Sequence, residues 1–459
     1  MDIYRKKSNV LKYIFIMLLL IIITGVGFLF VSPTFEQNKP IITFNNGNYW
    51  NLKDKLSINI KDQSGVKYYK VTFIDGSKET VLQERILQTI DKNLNLEVNP
   101  PKLDMFYKGG DVKIKVEAID NSKWNFFNGN AISKIFNITI DNKLPLANVI
   151  GNSRYIARGG SAVVVVKVKD ENLKEAYISF NDKTKFILTP FYKQDYFIAL
   201  IAWDINIEHF KRVNLIAIDK ANNKTIRKIP FYIQNARIKK DNITITESFI
   251  NNVSSSVLEQ SNMKVPTDLV DRFLKENNEL RIKNIKFLRD LGIKTVPKTQ
   301  IDNFSIKPFK RLRGSRTAAG YAERRSYYFQ GEKIDEQWHL GMDWASVKQA
   351  TIRISNKGTV VFNDYLGIYG NTIIVNHALG LMSLYAHTSS TTVQLNQEVK
   401  ARQKIANTGS TGAVMGDHLH FGILIQGIEV NPLEWMDKYW IKTRITDIIK
   451  QSKNIIDGK

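Results

Sequence analysis

Residues 416–421 read Gly416-Asp417-His418-Leu419-His420-Phe421, and the reading of the C-terminal third of the chain turns on them. In a strand, side chains alternate between two faces. His418 and His420 would therefore project together, while Leu419 and Phe421 enter a core behind them. Gly409-Ser410-Thr411-Gly412 and Gly416-Asp417 lead in as a tight loop that delivers the strand. Five of the six histidines fall between 339 and 420: His339, His377, His387, His418 and His420. In His339-Leu-Gly-Met-Asp343, extended backbone puts His339 and Asp343 on one face, with the side-chain-free Gly341 between them. Leu384-Tyr385-Ala386-His387 adds a third local pattern.

Cysteine is absent, which excludes disulfides, thiolate metal sites and thiol nucleophiles. Any transition metal must be held by His, Asp or Glu. Zinc in a hydrolase takes three protein ligands and leaves a position for water, and a His/Asp/His set suits it.

The 459 residues suffice for two to four domains with separate cores. Lys and Arg number 66 against 44 Asp and Glu, a formal charge of +22 that points to an acidic partner. Nucleic acid, a membrane surface and an anionic polymer all qualify. The excess lies outside the histidine-rich region, because residues 301–437 hold 14 Lys and Arg against 12 Asp and Glu. A hydrophobic content of 43% excludes wholesale disorder.

Tyr13 to Val31 is a run of 19 residues without a charge. As a helix it would reach roughly 28 Å, close to the hydrocarbon thickness of a bilayer. Arg5, Lys6, Lys7 and Lys12 precede it, which places residues 1–12 in the cytoplasm and the chain after Ser32 outside. A cleaved signal peptide competes, but the run is long for one and Val31-Ser32-Pro33-Thr34 is a poor cleavage site. The outward topology disfavours nucleic acid as the partner.

Residues 41–145 alternate apolar and polar, as in Leu56-Ser-Ile-Asn-Ile60 and Val112-Lys-Ile-Lys-Val-Glu-Ala118, with turn residues between. Residues 146–236 repeat the plan: Asp170 follows Val163–Lys169 as Asp62 follows Leu56–Lys61, and Ala217-Ile-Asp219 echoes Ala118-Ile-Asp120. This weak duplication predicts two β-sandwich modules resembling bacterial immunoglobulin-like domains, with one larger β domain as the alternative. Trp124 and Trp203 are expected in their cores. Residues 240–316 read as a helical and then basic linker, with a helix start at Thr267/Asp268 and a stop at Gly292. The expected architecture is mainly β and multidomain: transmembrane helix 13–31, modules 41–145 and 146–236, linker 240–316, an antiparallel β domain 317–437 and a tail 438–459.

Taken together, His339-Leu-Gly-Met-Asp343, Gly358-Thr-Val-Val, Gly367-Ile-Tyr-Gly-Asn371, His377, Ser383-Leu-Tyr-Ala-His387, Gly409-Ser-Thr-Gly412, Gly416-Asp-His-Leu-His-Phe421 and Asn431-Pro432 resemble the LytM/lysostaphin-type zinc metallopeptidases, which cut peptides of bacterial peptidoglycan. The resemblance implies one Zn²⁺ per chain held by His339, Asp343 and His420, with His387 and His418 as catalytic residues. It implies a small antiparallel sheet whose groove is closed by loops, here around Tyr365–Asn371 and Thr388–Thr392. Peptidoglycan stem peptides would be the substrate and crosslink hydrolysis the reaction. Gly422 stands where many relatives have Glu, a position that is not a ligand. His377 is expected to be structural or to support the ligands, and His209 to be structural.

The helical segment and Arg324-Arg325-Ser-Tyr-Tyr also look like a membrane-anchored subgroup, which implies the inner membrane with the catalytic domain in the periplasm. No His-Glu-x-x-His helix supplies a Glu base, so a histidine of near-neutral pKa must activate water. His387 and His418 share that task and oxyanion stabilisation, in an order left open. Two other readings stand beside this one. One is an inactive wall-binding regulator of another hydrolase; such relatives typically lose metal ligands, and all three remain here. The other is a β-domain adhesion or scaffold protein.

Overall fold

Val10–Val31 form a single 22-residue helix in the computed structural model, which describes residues 9–104, 107, 109–235 and 238–459. Arg5, Lys6 and Lys7 lie outside the described residues. None of the helix is buried, and it is long and apolar enough to cross a membrane. Mainly β structure follows, in two compact units. The first comprises the chain up to Leu144 with Asp219–Asn223; the second comprises Pro145–Ile218 and Lys224–Lys459.

The first unit is built on one long hairpin, Leu56–Asp75 against Lys78–Val98. Its register breaks between Lys61 and Val66. The first half of Leu56–Asp75 pairs with Ile41–Phe44 and the second half with Gly110–Asp120. Six strands thus form one hydrogen-bonded sheet around a core that includes Trp50, Ile58, Val71, Phe73, Ile114 and Val116. Gly110–Asp120 alternates buried and more exposed residues, as its sequence predicts for a strand with one face on a core. Asp120 closes its end by accepting from the backbone N–H groups of Ser122 and Asn130.

The second unit opens with two four-stranded sheets. Thr189–Pro190, Tyr196–Ala202, Ser161–Lys169 and Leu146–Asn152 form one; Thr184–Ile187, Leu173–Phe180, Val213–Asp219 and Lys224–Ile229 form the other, with Asp219 counted to the first unit. The counterpart of Asp120 recurs at Asp219, which accepts from Asn223. Ser161–Lys169 is buried at nearly every position. Its hydrophobic cluster continues without a break into Trp344, Phe421, Trp435 and Ile449 of the C-terminal region. The tail after Asp437 is helical, and Asp447–Ile456 packs on Leu146–Asn152 and Ser161–Lys169. Trp203 is a core residue, as expected. Trp124 is not: it is only partly buried and its ring lies 5.8 Å from that of Phe30.

Lys239–Thr244, at the start of the expected linker, is a strand parallel to Glu323–Phe329, which in turn pairs with Glu332–His339. Helical structure runs from Glu247 to Gln260 and from Leu269 to Lys294. The Asp268 side chain caps the second run by accepting from Asp271 N–H, as read from the sequence. Gly292 does not stop it; the helix continues to Lys294 because the glycine is needed inside it, where its Cα faces Gly427 so closely that a Cβ would strike the backbone. The final sheet has eight strands in wholly antiparallel pairing, with Leu419–Ile425 between Met342–Ala345 and Leu381–Ala386.

Candidate metal centre

Three neighbouring strands of this region deliver the candidate ligands. His339 ends Glu332–His339, Asp343 lies on Met342–Ala345, and His420 lies on Leu419–Ile425 directly opposite Asp343. All three are buried, and their donor atoms lie within 4.8 Å of one another. His339 Nε2 is 2.9 Å from Asp343 Oδ2, His420 Nδ1 is 2.8 Å from Asp343 Oδ1, and the two imidazole nitrogens are 3.2 Å apart. Gly341 makes this convergence possible. A Cβ there would lie 2.5 Å from the His420 ring.

The donor set fits a divalent metal. The Gly320 carbonyl, 2.7 Å away, can only accept, so His339 carries its proton on Nδ1. His339 then aims Nε2 at the Asp343 carboxylate, an arrangement that only a proton or a cation between them makes favourable. His420 Nε2 is buried without a partner. Burial alone would raise the Asp343 carboxyl, but the charge and hydrogen bond of His339, then those of His420, hold it well below the usual carboxylate range. Burial pushes His420 down to about 4 despite its hydrogen bond with Asp343.

His387 and His418 stand beside this group. Their ring centroids are 4.9 Å apart, and His387 lies 5.7 Å from His420. His387 Nδ1–H donates to the Thr411 carbonyl at 2.8 Å, and His418 Nδ1–H donates to Gly416 at 2.8 Å. By the same acceptor argument, both carry a proton on Nδ1 and leave Nε2 to face the site, that of His418 at 3.7 Å from Asp343 Oδ1. Burial first, then the neighbouring His418 and His420, drive the His387 pKa well below its ordinary value. The loop behind it is tightly locked: a Cβ on Gly370, whose φ is +62°, would collide with the Thr411 backbone.

His377 is elsewhere. Its Nδ1 donates to Lys357 O and its Nε2 accepts from Ser383 Oγ, both at 2.8 Å, and it lies beyond the opposite end of Leu381–Ala386 from His387. Both nitrogens are used and burial lowers its pKa to about 4, a structural histidine. His209 is exposed.

A cavity of about 260 Å³ joins His339, Asp343, His387, His418 and His420. The expected loop around Tyr365–Asn371 contributes Ile368 and Tyr369 to its lining. Thr388–Thr392 contributes nothing; Thr388–Thr391 is a strand paired with Lys404–Thr408, and Ala413–Met415 takes its place at the cavity. Several lining residues carry no motif of their own. Arg325 stands 3.6 Å from Asp343. Tyr369 donates to Glu429 at 2.7 Å, and burial pushes that carboxyl up to about 7. Phe273, Glu276, Asn277 and Arg281 come from the helical segment. Of these, Arg325 and Tyr369 fell inside motifs that the sequence singled out, and Phe273, Glu276, Asn277 and Arg281 inside the expected helical segment.

Residues 337–432 match peptidase family M23. The chain is 38% identical over 95 residues to the DD-carboxypeptidase/endopeptidase Mpg of Neisseria meningitidis serogroup B, covering 21% of this chain and 22% of that protein. It is 43% identical over 102 residues to the murein hydrolase activator NlpD of Escherichia coli K12, covering 22% of this chain and 27% of that protein. It is 41% identical over 95 residues to the lipoprotein NlpD of Yersinia enterocolitica, covering 20% of this chain and 97% of that sequence. The chain thus spans about a quarter of the length of the first two relatives.

Proposed function

The chain belongs to peptidase family M23 through residues 337–432, and from that premise we propose that it is a membrane-anchored zinc metallopeptidase that hydrolyses peptide crosslinks of bacterial peptidoglycan. The observation that carries this is the convergence of His339, Asp343 and His420 with His387 and His418 on one cavity. The helix Val10–Val31 is read as the anchor, in the inner membrane with the remainder in the periplasm. The first β module, of immunoglobulin-like kind, serves as a spacer, while the second packs into the core of the C-terminal region.

His339 Nε2, the Asp343 carboxylate and His420 Nδ1 would hold one Zn²⁺. When bound, the ion supplies a Lewis acid that polarises a carbonyl and acidifies water. The remaining chemistry belongs to the chain. His387 is neutral at pH 7, so its Nε2 can accept a proton from the attacking water and pass it to the leaving amine. His418, on the same cavity and with its Nδ1 held by Gly416, turns Nε2 to the site, where a proton on that nitrogen would donate to the oxygen on which charge develops. Arg325 opposes the surplus negative charge of Asp343. Glu276, whose carboxyl burial raises, and Arg281 add polar groups from the helical segment to the cavity lining.

A second reading rests on the relatives named murein hydrolase activator, to which the chain is 43% identical over the matched region. In that reading the protein binds wall and stimulates another enzyme. Digestion of purified crosslinked muropeptides by residues 145–459 with zinc separates the two. Release of uncrosslinked products supports the hydrolase. Intact muropeptides, with stimulation of an added murein hydrolase, support the activator.

A further inference from the structure

We propose that the loop Lys123–Asn128 of the first unit is a membrane-docking surface, with Phe126 and Phe127 seated in the lipid boundary beside the N-terminal helix. The inference rests on reading that helix as a membrane anchor. At 1.5 Å per residue the 22-residue helix is about 33 Å long, so Phe28–Val31 falls at the edge of a hydrocarbon layer of roughly 30 Å.

The loop is tied to this edge. Lys123 N–H donates to Thr34 O at 2.8 Å. Ser122 Oγ–H and Asn130 Nδ2–H donate to Glu36 O at 2.6 and 2.8 Å. The Trp124 ring packs 5.8 Å from Phe30, and Phe35 meets Phe28 edge-on at 6.1 Å. Phe126 is 92% exposed and Phe127 66% exposed on the loop so fixed. Their backbones and that of Asn125 hold φ values of +53°, +70° and +53°, which non-glycine residues seldom adopt, and neither ring reaches the module's core.

Single exposed apolar residues are ordinary. Two adjacent phenylalanines with Trp124 behind them, continuous with a lipid-facing helix end, form a patch of one chemistry. Aromatic rings concentrate at the membrane–water interface for this reason. Seating them would fix the orientation of the module, with the Asp75–Lys78 turn pointing away. The strand register places Val66 opposite Asp120 and Ile74 opposite Lys113, so that turn lies at the other end of the sheet.

The chain has no cysteine, so single labelling sites are clean. Full-length Phe126→Cys, Phe127→Cys and, as a control in the distal turn, Ser77→Cys would each carry an environment-sensitive fluorophore. They would be reconstituted in phosphatidylethanolamine/phosphatidylglycerol vesicles with acyl-chain nitroxide lipids. The expected result is blue-shifted emission at 126 and 127, with quenching severalfold stronger than at 77. Emission at 126 and 127 as aqueous as at 77, on chains that resist carbonate extraction, overturns the docking alone. Blue-shifted emission that the nitroxide lipids do not quench also overturns it, because a protein surface then covers the loop. Extraction of the chain by carbonate overturns the anchor reading and the docking with it.

Discussion

Two strands that share one place in a sequence repeat have different surroundings. Leu56–Lys61 alternates, and the structure buries one face of it in a module with its own core. Ser161–Lys169 contains Ala162-Val-Val-Val-Val166, without alternation, and is buried on both faces. One face meets its own module, and the other is covered by the C-terminal helices. Both regions read as spacers when judged by turns and strand lengths. The apolar run says that the second shares the core of the C-terminal region. An all-apolar strand needs cover on two sides.

Deletion gives the largest test of this contrast. Residues 145–459 are expected to fold and melt cooperatively without the first module. Residues 239–459, stripped of the second module, are expected to be insoluble, because their core would lose the wall formed by Val163–Val166 and Leu200. Equal soluble yield and equal melting of both fragments would erase the contrast.

Two tryptophans refine it. Trp50 is buried in the first module and donates to Asp54 O at 2.8 Å. Trp435 is buried in the second unit and donates to Ser161 Oγ at 2.9 Å, joining the C-terminal region to the second module. Each change to Ala should cost about 3–5 kcal/mol. Calorimetry of the full chain should show Trp50→Ala lowering the melting of the first unit only, and Trp435→Ala that of the second.

A smaller effect tests the same junction by pH. Glu434 accepts from the N–H and Oγ–H of Ser161, and burial pushes its carboxyl up to about 7. A folded pKa above the unfolded one means that the folded state holds the proton longer. Stability from this group is fully present below the unfolded value of 4.5 and is lost as pH rises through about 7. The second unit should therefore melt at lower temperature at pH 8 than at pH 5, by on the order of 2–3 kcal/mol from this residue. Glu434→Gln should flatten part of that slope; an unchanged slope would remove Glu434 as its cause.

The candidate site was more legible than the fold around it. His339, Asp343 and His420 were legible as a set through the family resemblance; strand periodicity alone paired His418 with His420, and His339 meets Asp343 not along one extended face but across the break at Leu340-Gly341 between strands of two sheets. The two fates of His377 and His387 could not be read from spacing, because what separates them is the partner of the second ring nitrogen. His377 has Ser383; His387 keeps a lone pair on the cavity. The wall supplied by Glu276 and Arg281 was hidden for another reason. A buried carboxylate on a helix looks in sequence like a solvated one. Trp124 was misplaced because its exposure beside the apolar N-terminal helix depends on a neighbour, Phe30, distant in sequence.

The central claim is that one set of residues holds the metal and another moves the proton. It is tested most directly by comparing residues 145–459 with their His387→Ala variant for zinc content and for release of products from crosslinked muropeptides. The account predicts about one zinc per chain in both, with hydrolysis lower in the variant by roughly 10²–10⁴-fold. Loss of zinc from the variant, or hydrolysis undiminished, would contradict it.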